Sequence, residues 1–277
     1  MKRLVILGSR GMLGSMASRF FSRDLGYDQI RHDAPFHAAD ASDYLSSLNA
    51  VAPDVVLNCI GRIPQKAAAV TQLFEANSFL PLALRRGLDP RTILVHPSTD
   101  CVFRGDAPDG YRSDQLPNAN DDYGLSKSLA ELGLRERDAV FIVRTSIIGP
   151  EPGGGGSGLM GWFLSQPTGG HIRGYANHYW NGITTLDWCR FVHEHLLQPH
   201  AHAPARFGLH QIGQRAPVSK YALLMLLRGA TGVDVRIDEY HCDTTVNKFL
   251  HPEIVRDDIG IQIRDLLAFD RLAADWK

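Results

Sequence analysis

Three residues whose types and spacing could carry proton transfer lie in the middle of the chain. Thr99 follows an apolar run at residues 92–95, so its hydroxyl is expected at the carboxyl end of a buried strand. Tyr123 and Lys127 open a helical pattern, and residues four apart share one helix face. An ammonium lowers the pKa of a nearby phenol toward the range of a general acid or base. The Thr99 hydroxyl could hydrogen-bond the reacting oxygen.

A glycine-rich turn near the start of the chain predicts a second functional region. An apolar run at residues 4–7 predicts a parallel strand buried on both faces, and a helical stretch at 15–21 follows the turn. Glycines between a strand and a helix let the backbone approach a pyrophosphate, and the helix N-terminus favours its charge. The spacing is Gly-x-x-Gly-x-x-Gly, not the common Gly-x-Gly-x-x-Gly. The predicted cofactor-binding residues of the turn are Gly8, Arg10, Gly11, Met12, Leu13 and Gly14.

The residues after the second predicted strand bear on which dinucleotide binds. Arg31 and His32, together with Arg10, could meet a 2′-phosphate. Asp33 could instead accept a hydrogen bond from a free 2′-hydroxyl. The balance favours NADP, with NAD as the alternative. Asp40 is predicted to contact the adenine, and capping of a helix is the other role open to it.

Strands alternate with helices over the first part of the chain. A third buried strand ends in Cys59, Ile60 and Gly61, where a cofactor would pass, and these three are predicted to bind it. A helix is predicted at residues 67–86, with the polar Asn77 inside its apolar pattern. Alternating strands and helices are typical of βαβ units with a parallel sheet. The predicted fold class is therefore α/β, a Rossmann-type doubly wound parallel sheet with a smaller C-terminal substrate-binding domain.

The sequence changes character after residue 150. Glycine and proline cluster through residue 158, and tryptophan, tyrosine and histidine follow. Such a segment suits a substrate-facing part packed over the strand ends. We expect an NAD(P)-binding Rossmann domain at residues 1–150 and a substrate domain at residues 151–277. A strand near residues 206–213 is expected to return to the main sheet.

Composition limits the class of protein. The chain has 277 residues, of which 44% are hydrophobic and 21% charged, enough for a large core. A formal net charge of −1 gives no electrostatic footprint for nucleic acid. No apolar run approaches the roughly 18 residues of a membrane span. The four cysteines are scattered and indicate reduced thiols. We expect a cytoplasmic protein with no nucleic-acid or membrane partner.

A histidine-rich stretch at residues 193–202 raises the question of a metal site. His193 and His195 are two residues apart, so on a helix they point to different faces. The His-Glu-x-x-His pattern of zinc enzymes is absent from the sequence. We therefore expect no metal site.

Six short motifs follow one another in a consistent order over nearly residues 1–190. They are Gly8-x-x-Gly11-Met12-Leu13-Gly14, Asn58-Cys59-Ile60-Gly61, Ser98-Thr99-Asp100-Cys101-Val102-Phe103-x-Gly105, Tyr123-Gly124-Leu125-Ser126-Lys127, Arg144-Thr145-Ser146-Ile147-Ile148-Gly149 and Asn177-His178-Tyr179-Trp180-Asn181-Gly182-Ile183-Thr184-Thr185-Leu186. In these motifs the chain resembles the extended short-chain dehydrogenase/reductase family. Within it, the chain most resembles the dTDP-4-dehydrorhamnose reductase branch of sugar-nucleotide reductases.

The resemblance implies hydride transfer from NAD(P)H to the C4 keto carbon of a nucleotide-linked 4-keto-6-deoxyhexose, in deoxysugar or surface-polysaccharide synthesis. By the family pattern, Tyr123 donates the proton to the forming alkoxide and Thr99 polarises the carbonyl. Lys127 tunes Tyr123 and holds the nicotinamide ribose, so Tyr123 and Lys127 also count as cofactor-binding. A homodimer is a possible assembly. The implied substrate contacts are Thr99, Cys101, Trp180 and Asn181.

The chain departs from the family pattern in two places. The family usually has Tyr-x-Glu-x-Asp where this chain has Tyr111-Arg112-Ser113-Asp114-Gln115, and Cys101 stands where well-known members have tyrosine. Asp100 followed by Cys101 lacks the acid pair of the related 4,6-dehydratases, which argues against dehydration. An NAD-dependent nucleotide-sugar epimerase remains an alternative. So does a non-catalytic, cofactor-binding regulatory subunit on the same fold.

Overall fold

The centre of the protein is a parallel sheet of seven strands, in a computed structural model that describes residues 1–135, 138–154, 156–198 and 206–274. The strands in chain order are β1 (Lys2–Leu7), β2 (Tyr27–His32), β3 (Val55–Asn58), β4 (Ile93–Ser98), β5 (Val140–Arg144), β6 (Ile147–Ile148), β7 (Gly170–Tyr175), β8 (His178–Trp180), β9 (Ile183–Thr184), β10 (Gly208–Gln214), β11 (Val218–Ser219), β12 (Val235–Tyr240), β13 (Val246–Asn247) and β14 (Ile254–Arg256). The sheet has the order β14-β10-β5-β4-β3-β1-β2.

Helices cover both faces of this sheet. In chain order they are α1 (Met12–Phe21), α2 (Ala41–Ala50), α3 (Val70–Phe74), α4 (Leu80–Gly87), α5 (Asp122–Leu134), α6 (Leu159–Leu164), α7 (Thr185–Phe191), α8 (Lys220–Thr231) and α9 (Ile259–Ala274). Helices α1, α7 and α9 pack on one face, and α2, α4 and α5 pack on the other. Within the described ranges, no helix is both long and apolar enough to cross a membrane.

The apolar run of β1 shows why the sheet is covered twice. Successive residues of a strand point to opposite faces. Leu4 and Ile6 accordingly enter the core beneath α1, whereas Val5 and Leu7 enter the core beneath α2 and α4. The predicted doubly wound, Rossmann-type α/β fold is confirmed.

The last part of the chain contributes to the central sheet as well as to smaller ones. β10 pairs in parallel with β5, at the place expected for a strand near residues 206–213, and β14 pairs with β10. In the described part of this region the small sheets are β11-β8-β13, β12-β7 and β6-β9. One core includes both Ile6 and Ile263, so residues from either side of position 150 pack together.

The helix expected at residues 67–86 is interrupted. It begins with α3, continues as a π-helical turn at Glu75–Phe79 and ends as α4. Proline has no backbone N–H, so Pro81 cannot donate the hydrogen bond that a regular helix would make to the carbonyl four residues earlier. The wider turn accommodates this residue. π-Helical turns often occur at functional sites, and this one contains Asn77.

Candidate active site

Thr99 lies directly after β4, as the sequence predicts. Its hydroxyl donates to Asp100 Oδ1 at 3.0 Å and accepts from the backbone N–H of Cys101 at 3.2 Å. The Tyr123 phenol lies near the same hydroxyl. The Lys127 ammonium donates to the carbonyl oxygen of Pro97 at 2.7 Å. The structure therefore brings all three predicted catalytic residues to the carboxyl end of β4.

Gly124 allows the start of α5 to approach this strand end. The side chain of Asp121 caps the helix by accepting from the Gly124 N–H at 2.9 Å. A Cβ at position 124 would lie 2.3 Å from the Cys101 carbonyl oxygen and 2.5 Å from the Ala119 Cβ. Only glycine fits this contact, which lets the start of α5, with Tyr123, lie close to the end of β4.

Burial determines the protonation of the two titratable groups. It raises the pKa of Tyr123 well above the usual value, and the nearby Cys101 and Asp100 raise it further. Burial lowers the pKa of Lys127 to about 8, although the charge of Glu131 opposes this shift. The net shift of the phenol's pKa is therefore upward, opposite to the lowering expected from the ammonium, because burial dominates. Tyr123 keeps its proton, which is the state that a proton donor requires.

His96 is a buried neighbour of Lys127 that no sequence signal identified. It lies in β4, and its Nδ1 is 3.1 Å from the side-chain nitrogen of Asn58. Its Nε2 is buried and has no hydrogen-bond partner among the described residues. Burial, followed by the charge of Lys127, lowers the pKa of His96 well below its usual value. The imidazole is therefore neutral beside the lysine.

A buried ion pair between Glu131 and Arg144 holds together the elements that carry the site. Glu131 accepts from the Ser98 hydroxyl at 2.7 Å and from Arg144 Nε at 2.9 Å, and a second guanidinium nitrogen of Arg144 donates to its other oxygen. Both side chains are fully buried. Burial alone would raise the pKa of Glu131, but the hydrogen bonds and charge of Arg144 bring it below its usual value. The pair joins α5, β4 and β5.

Asn77 connects the cofactor side of the site to α5. Its Oδ1 accepts from the Arg62 N–H at 2.8 Å, and its amide donates to the Arg62 carbonyl at 2.8 Å and to the Ser126 hydroxyl at 3.0 Å. The sequence marked Asn77 as a polar residue in an apolar pattern. The contacts with Arg62 and Ser126 explain why it is buried.

A cavity of about 350 Å³ lies beside the glycine turn. Five predicted cofactor residues line it, namely Gly8, Arg10, Gly11, Ile60 and Gly61. Gly8 has a φ of +71°, and a Cβ there would lie 2.8 Å from the Ile60 Cγ1. A Cβ on Gly14 would lie 2.1 Å from the Gly8 carbonyl oxygen, so Gly14 allows α1 to pack on the turn. Glycines at these positions fit a dinucleotide whose phosphates approach the backbone closely.

The other predicted cofactor residues do not line this cavity. Met12 begins α1, and Leu13 is buried in the core. Cys59 packs against the same core, where burial raises the pKa of its thiol to about 12. Asp40 is exposed at the N-cap position of α2, but its side chain makes no capping hydrogen bond. The capping role of Asp40 is therefore wrong, and its contact with the adenine stays a prediction.

Sequence reasoning did not assign several cavity residues to the cofactor. They are Ala34, Pro35, Phe36, His37, Arg62, Gln72, Glu75 and Ala76, and they line the cavity together with Asp33, the ribose contact considered for NAD. Asp33 Oδ1 accepts from the Ser9 N–H at 3.2 Å and from the Ser9 hydroxyl at 2.5 Å, while Arg10 donates to the Asp33 carbonyl at 3.2 Å. Asp33 and Arg62 follow β2 and β3, the two neighbours of β1. The position of Arg62 shortly after β3 was the sequence signal that could have identified it as a cofactor contact.

The predicted substrate residues differ in what they contact. Cys101 is partly exposed next to Thr99, and burial raises the pKa of its thiol to about 12. Trp180 is 1% exposed, and the ammonium of Lys220 lies 5.0 Å from its ring centroid. Asn181 is 2% exposed, and both its amide hydrogens are used by the carbonyls of Gln214 and Leu250. Asn181 therefore joins chain segments and offers no amide hydrogen to a ligand.

In the ranges that the structure describes, no group of three His, Cys, Asp or Glu side chains could hold a metal ion. His200 and His202 of the histidine-rich stretch lie outside the described residues.

The parallel sheet, the glycine turn at the cavity and the Thr99–Tyr123–Lys127 arrangement define the chain as a Rossmann-type protein of the extended short-chain dehydrogenase/reductase class. The family model described as the RmlD substrate binding domain matches residues 1–166. The chain belongs to this family, which confirms the resemblance found in its motifs.

Two relatives match part of the chain. A probable low-salt glycan biosynthesis reductase of Haloferax volcanii is 28% identical over 164 residues, which cover 52% of this chain and 52% of the relative. A probable dTDP-4,6-dihydroxy-2-methyloxan-3-one 4-ketoreductase of Streptomyces antibioticus is 32% identical over 135 residues, which cover 45% of this chain and 44% of the relative. The chain thus spans about half the length of these curated relatives.

Similarity to solved structures extends over nearly the whole chain. The dTDP-4-dehydrorhamnose reductase of Bacillus anthracis, solved in complex with NADP, has a TM-score of 0.81 at 16% identity. The match covers 97% of this chain and 99% of that chain. At this identity the similarity establishes the fold.

Proposed function

We propose that this protein is an NAD(P)H-dependent reductase that acts on the C4 keto group of a nucleotide-linked 4-keto-6-deoxyhexose. The observation that carries the proposal is the meeting of Thr99, a protonated Tyr123 and Lys127 at the end of β4. The family and the names of the two relatives, a 4-ketoreductase and a glycan biosynthesis reductase, support it. The reaction would belong to deoxysugar or surface-polysaccharide synthesis.

The cavity beside the glycine turn would hold the cofactor. When bound, NADPH supplies the hydride. The backbone around Gly8 and Gly11 would receive the phosphates, because these positions leave room for close approach. Arg10 and Arg62 line the same cavity and could meet a 2′-phosphate, which favours NADP. Asp33 has one carboxylate oxygen engaged by Ser9 and a second that could accept from a ribose hydroxyl, so NAD remains possible.

Thr99, Tyr123 and Lys127 would each have a separate role in the reduction. The Thr99 hydroxyl would hydrogen-bond the carbonyl oxygen and polarise it. Tyr123 would donate its phenolic proton to the same oxygen as the alkoxide forms. The charge of Lys127 would stabilise the phenolate left behind. We also propose that, at this end of β4, Lys127 contacts the nicotinamide ribose and Cys101 contacts the substrate.

Cofactor oxidation tests the proposed function. NADPH and NADH oxidation is followed with a panel of 4-keto-6-deoxy nucleotide sugars, for the wild type and for Tyr123→Phe. We expect turnover with one sugar and a loss of about 10²- to 10⁴-fold in kcat without the phenol. Tyr240→Phe, which alters an exposed tyrosine on β12, is the matched control and should keep full activity. Tight NADPH binding without oxidation of any sugar would contradict the proposal and favour a regulatory subunit.

We further propose a cytoplasmic homodimer. All four cysteines are free thiols, as expected in a reducing compartment. Leu125, Leu129 and Leu132 recur at helical spacing on the outer side of α5 and are between 41% and 50% exposed. This apolar stripe is the candidate contact between two copies of the chain.

A further inference from the structure

Lys220 is a cation beside the site for which the described part of the chain supplies no hydrogen-bonding or ion-pair partner. Its ammonium lies 5.0 Å from the ring centroid of Trp180. It makes no hydrogen bond or ion pair with any described residue. Lys248, in contrast, donates to the Phe103 carbonyl oxygen, and Lys66 pairs with Glu151. Lys220 is therefore a partly buried charge with three unused N–H donors.

The backbone on both sides of Lys220 is fixed. β11 ends at Ser219 and pairs with β8, so that Val218 faces Trp180 and Ser219 faces Tyr179. The Ser219 hydroxyl then caps α8 by accepting from the Ala222 N–H at 3.0 Å. Because Lys220 is the first residue of α8 and lies over the indole ring, its position is set before any ligand arrives.

The position of Lys220 in its helix is electrostatically unfavourable without an anion. The N-terminus of a helix carries partial positive charge, so a lysine in the first turn is repelled. The same end of α8, with an added ammonium, attracts a negatively charged group. The N-terminus of α8 and the Lys220 ammonium repel each other within the chain, but both attract an anionic ligand.

Lys220 is close to the catalytic end of β4. Burial lowers the pKa of its ammonium, and the nearby Asp100 and Cys101 oppose that shift. Asp100 is buried and accepts from the Thr99 hydroxyl, but no ion pair joins it to Lys220. The ammonium is thus near the residues that would hold the keto sugar.

We propose that Lys220 binds the diphosphate of the nucleotide-linked substrate and thereby orients the sugar toward Thr99. The inference rests on the proposed function, because that substrate carries its phosphate charges directly on the sugar. A sugar at Thr99 and Tyr123 would place these charges on the side of the ammonium. Trp180 serves as the buried support of Lys220, which gives this predicted substrate residue an indirect role.

Calorimetric titration of the NADP-loaded protein with dTDP, UDP and GDP tests the proposal without turnover. We expect one diphosphate to bind, and Lys220→Met to weaken its binding by about ten- to hundredfold. Lys220→Arg should stay within a few fold of the wild type. Lys2→Met is the matched control, because Lys2 is exposed at the amino end of β1, away from the strand ends that carry the site. The corresponding nucleoside without phosphates should not distinguish the wild type from Lys220→Met.

Equal affinity of the wild type and Lys220→Met for the diphosphate would overturn the proposal. It would also be overturned if the wild type bound none of dTDP, UDP and GDP. Thermal unfolding of each variant excludes misfolding, and Lys220→Gln is the second variant if the methionine form does not fold. With an active substrate, Lys220→Met should raise KM more than it lowers kcat. Diphosphate binding that depends on Lys220, without reduction of any keto sugar, would disprove the reductase and retain the anion subsite.

Discussion

Lys127 is almost fully buried, and burial lowers the pKa of its ammonium to about 8. A group with this pKa changes charge close to working pH. The positive form is the one that stabilises a phenolate at Tyr123. The rate should therefore depend on the protonation of Lys127, while Tyr123 keeps its proton over the same range.

We predict that kcat/KM falls as pH rises above about 8, because Lys127 then loses its charge. In Lys127→Arg the fall should move to higher pH, since a guanidinium stays charged. The pH dependence of kcat/KM is measured from initial rates between pH 6 and 10, with the substrate that the sugar panel identifies. Coinciding pH profiles of the wild type and Lys127→Arg would show that another group controls the rate.

Lys127 should also affect stability in the protein without cofactor. Its pKa is lowered from 10.5 to about 8 by burial, so the unfolded chain binds more protons between these values. Stability due to this group therefore rises with pH over that window, by about 3 kcal/mol. Urea denaturation at pH 7.5 and pH 10.5 should show this gain for the wild type relative to Lys127→Met. A constant difference between the two proteins at both pH values would contradict the prediction.

At the scale of the elements, the Glu131–Arg144 pair fixes α5 against β4 and β5. Both charges are fully buried, so each depends on the other for compensation. The helix that carries Tyr123 and Lys127 is thereby held where the Gly124 contact requires it. This pair acts on the site through the position of α5 and through the charge of Glu131, which raises the pKa of Lys127.

We predict that Glu131→Gln lowers the free energy of unfolding by about 3 kcal/mol, because Arg144 is left as an unpaired buried charge. Replacing both residues by methionine should lose less than this single change, since no charge is then buried. Arg135→Ala is the control: Arg135 is partly exposed and pairs with Glu131 at i,i+4, so its loss should be below about 1 kcal/mol. Equilibrium urea denaturation gives all three values. A double variant less stable than Glu131→Gln would refute the argument.

Local patterns predicted the strands and the turn but not the π-helical turn. The apolar run of β1 and the glycines after it act within a few residues, so the strand and the turn were readable from the sequence. The turn at Glu75–Phe79 coincides with Pro81, which lacks a backbone N–H, and with the contacts of Asn77 to Arg62 and Ser126, which are distant in the chain. Pro81 and the polar Asn77 were its signs in the sequence, but the contacts of Asn77 exist only in the fold.

At the scale of the whole molecule, the same distinction separates the site residues that were predicted from those that were missed. Thr99, Tyr123 and Lys127 belong to strand and helix ends that local patterns define. Lys220 becomes significant only once β11 pairs with β8, because that pairing places it over Trp180. Asn181 was assigned to the substrate from its motif, yet its contacts with Gln214 and Leu250 come from the return of the chain to the sheet.

The outer side of α5 gives the last prediction, on assembly. Leu125, Leu129 and Leu132 are the exposed residues between the charged start of the helix and its end, so the stripe carries no charge to keep it in water. Two copies related by a twofold axis would bury each other's leucines.

We therefore expect light scattering after gel filtration to give a dimer of the 30.6 kDa chain, and Leu129→Glu to give a monomer. Ile261→Glu is the matched control, because Ile261 is similarly exposed on α9, on the opposite face of the sheet, and should leave the dimer intact. A wild type that is monomeric at micromolar concentration, or a Leu129→Glu variant that remains dimeric, would exclude this surface as the interface. Since α5 also carries Tyr123 and Lys127, the monomeric variant should also have a lower melting temperature than the wild type.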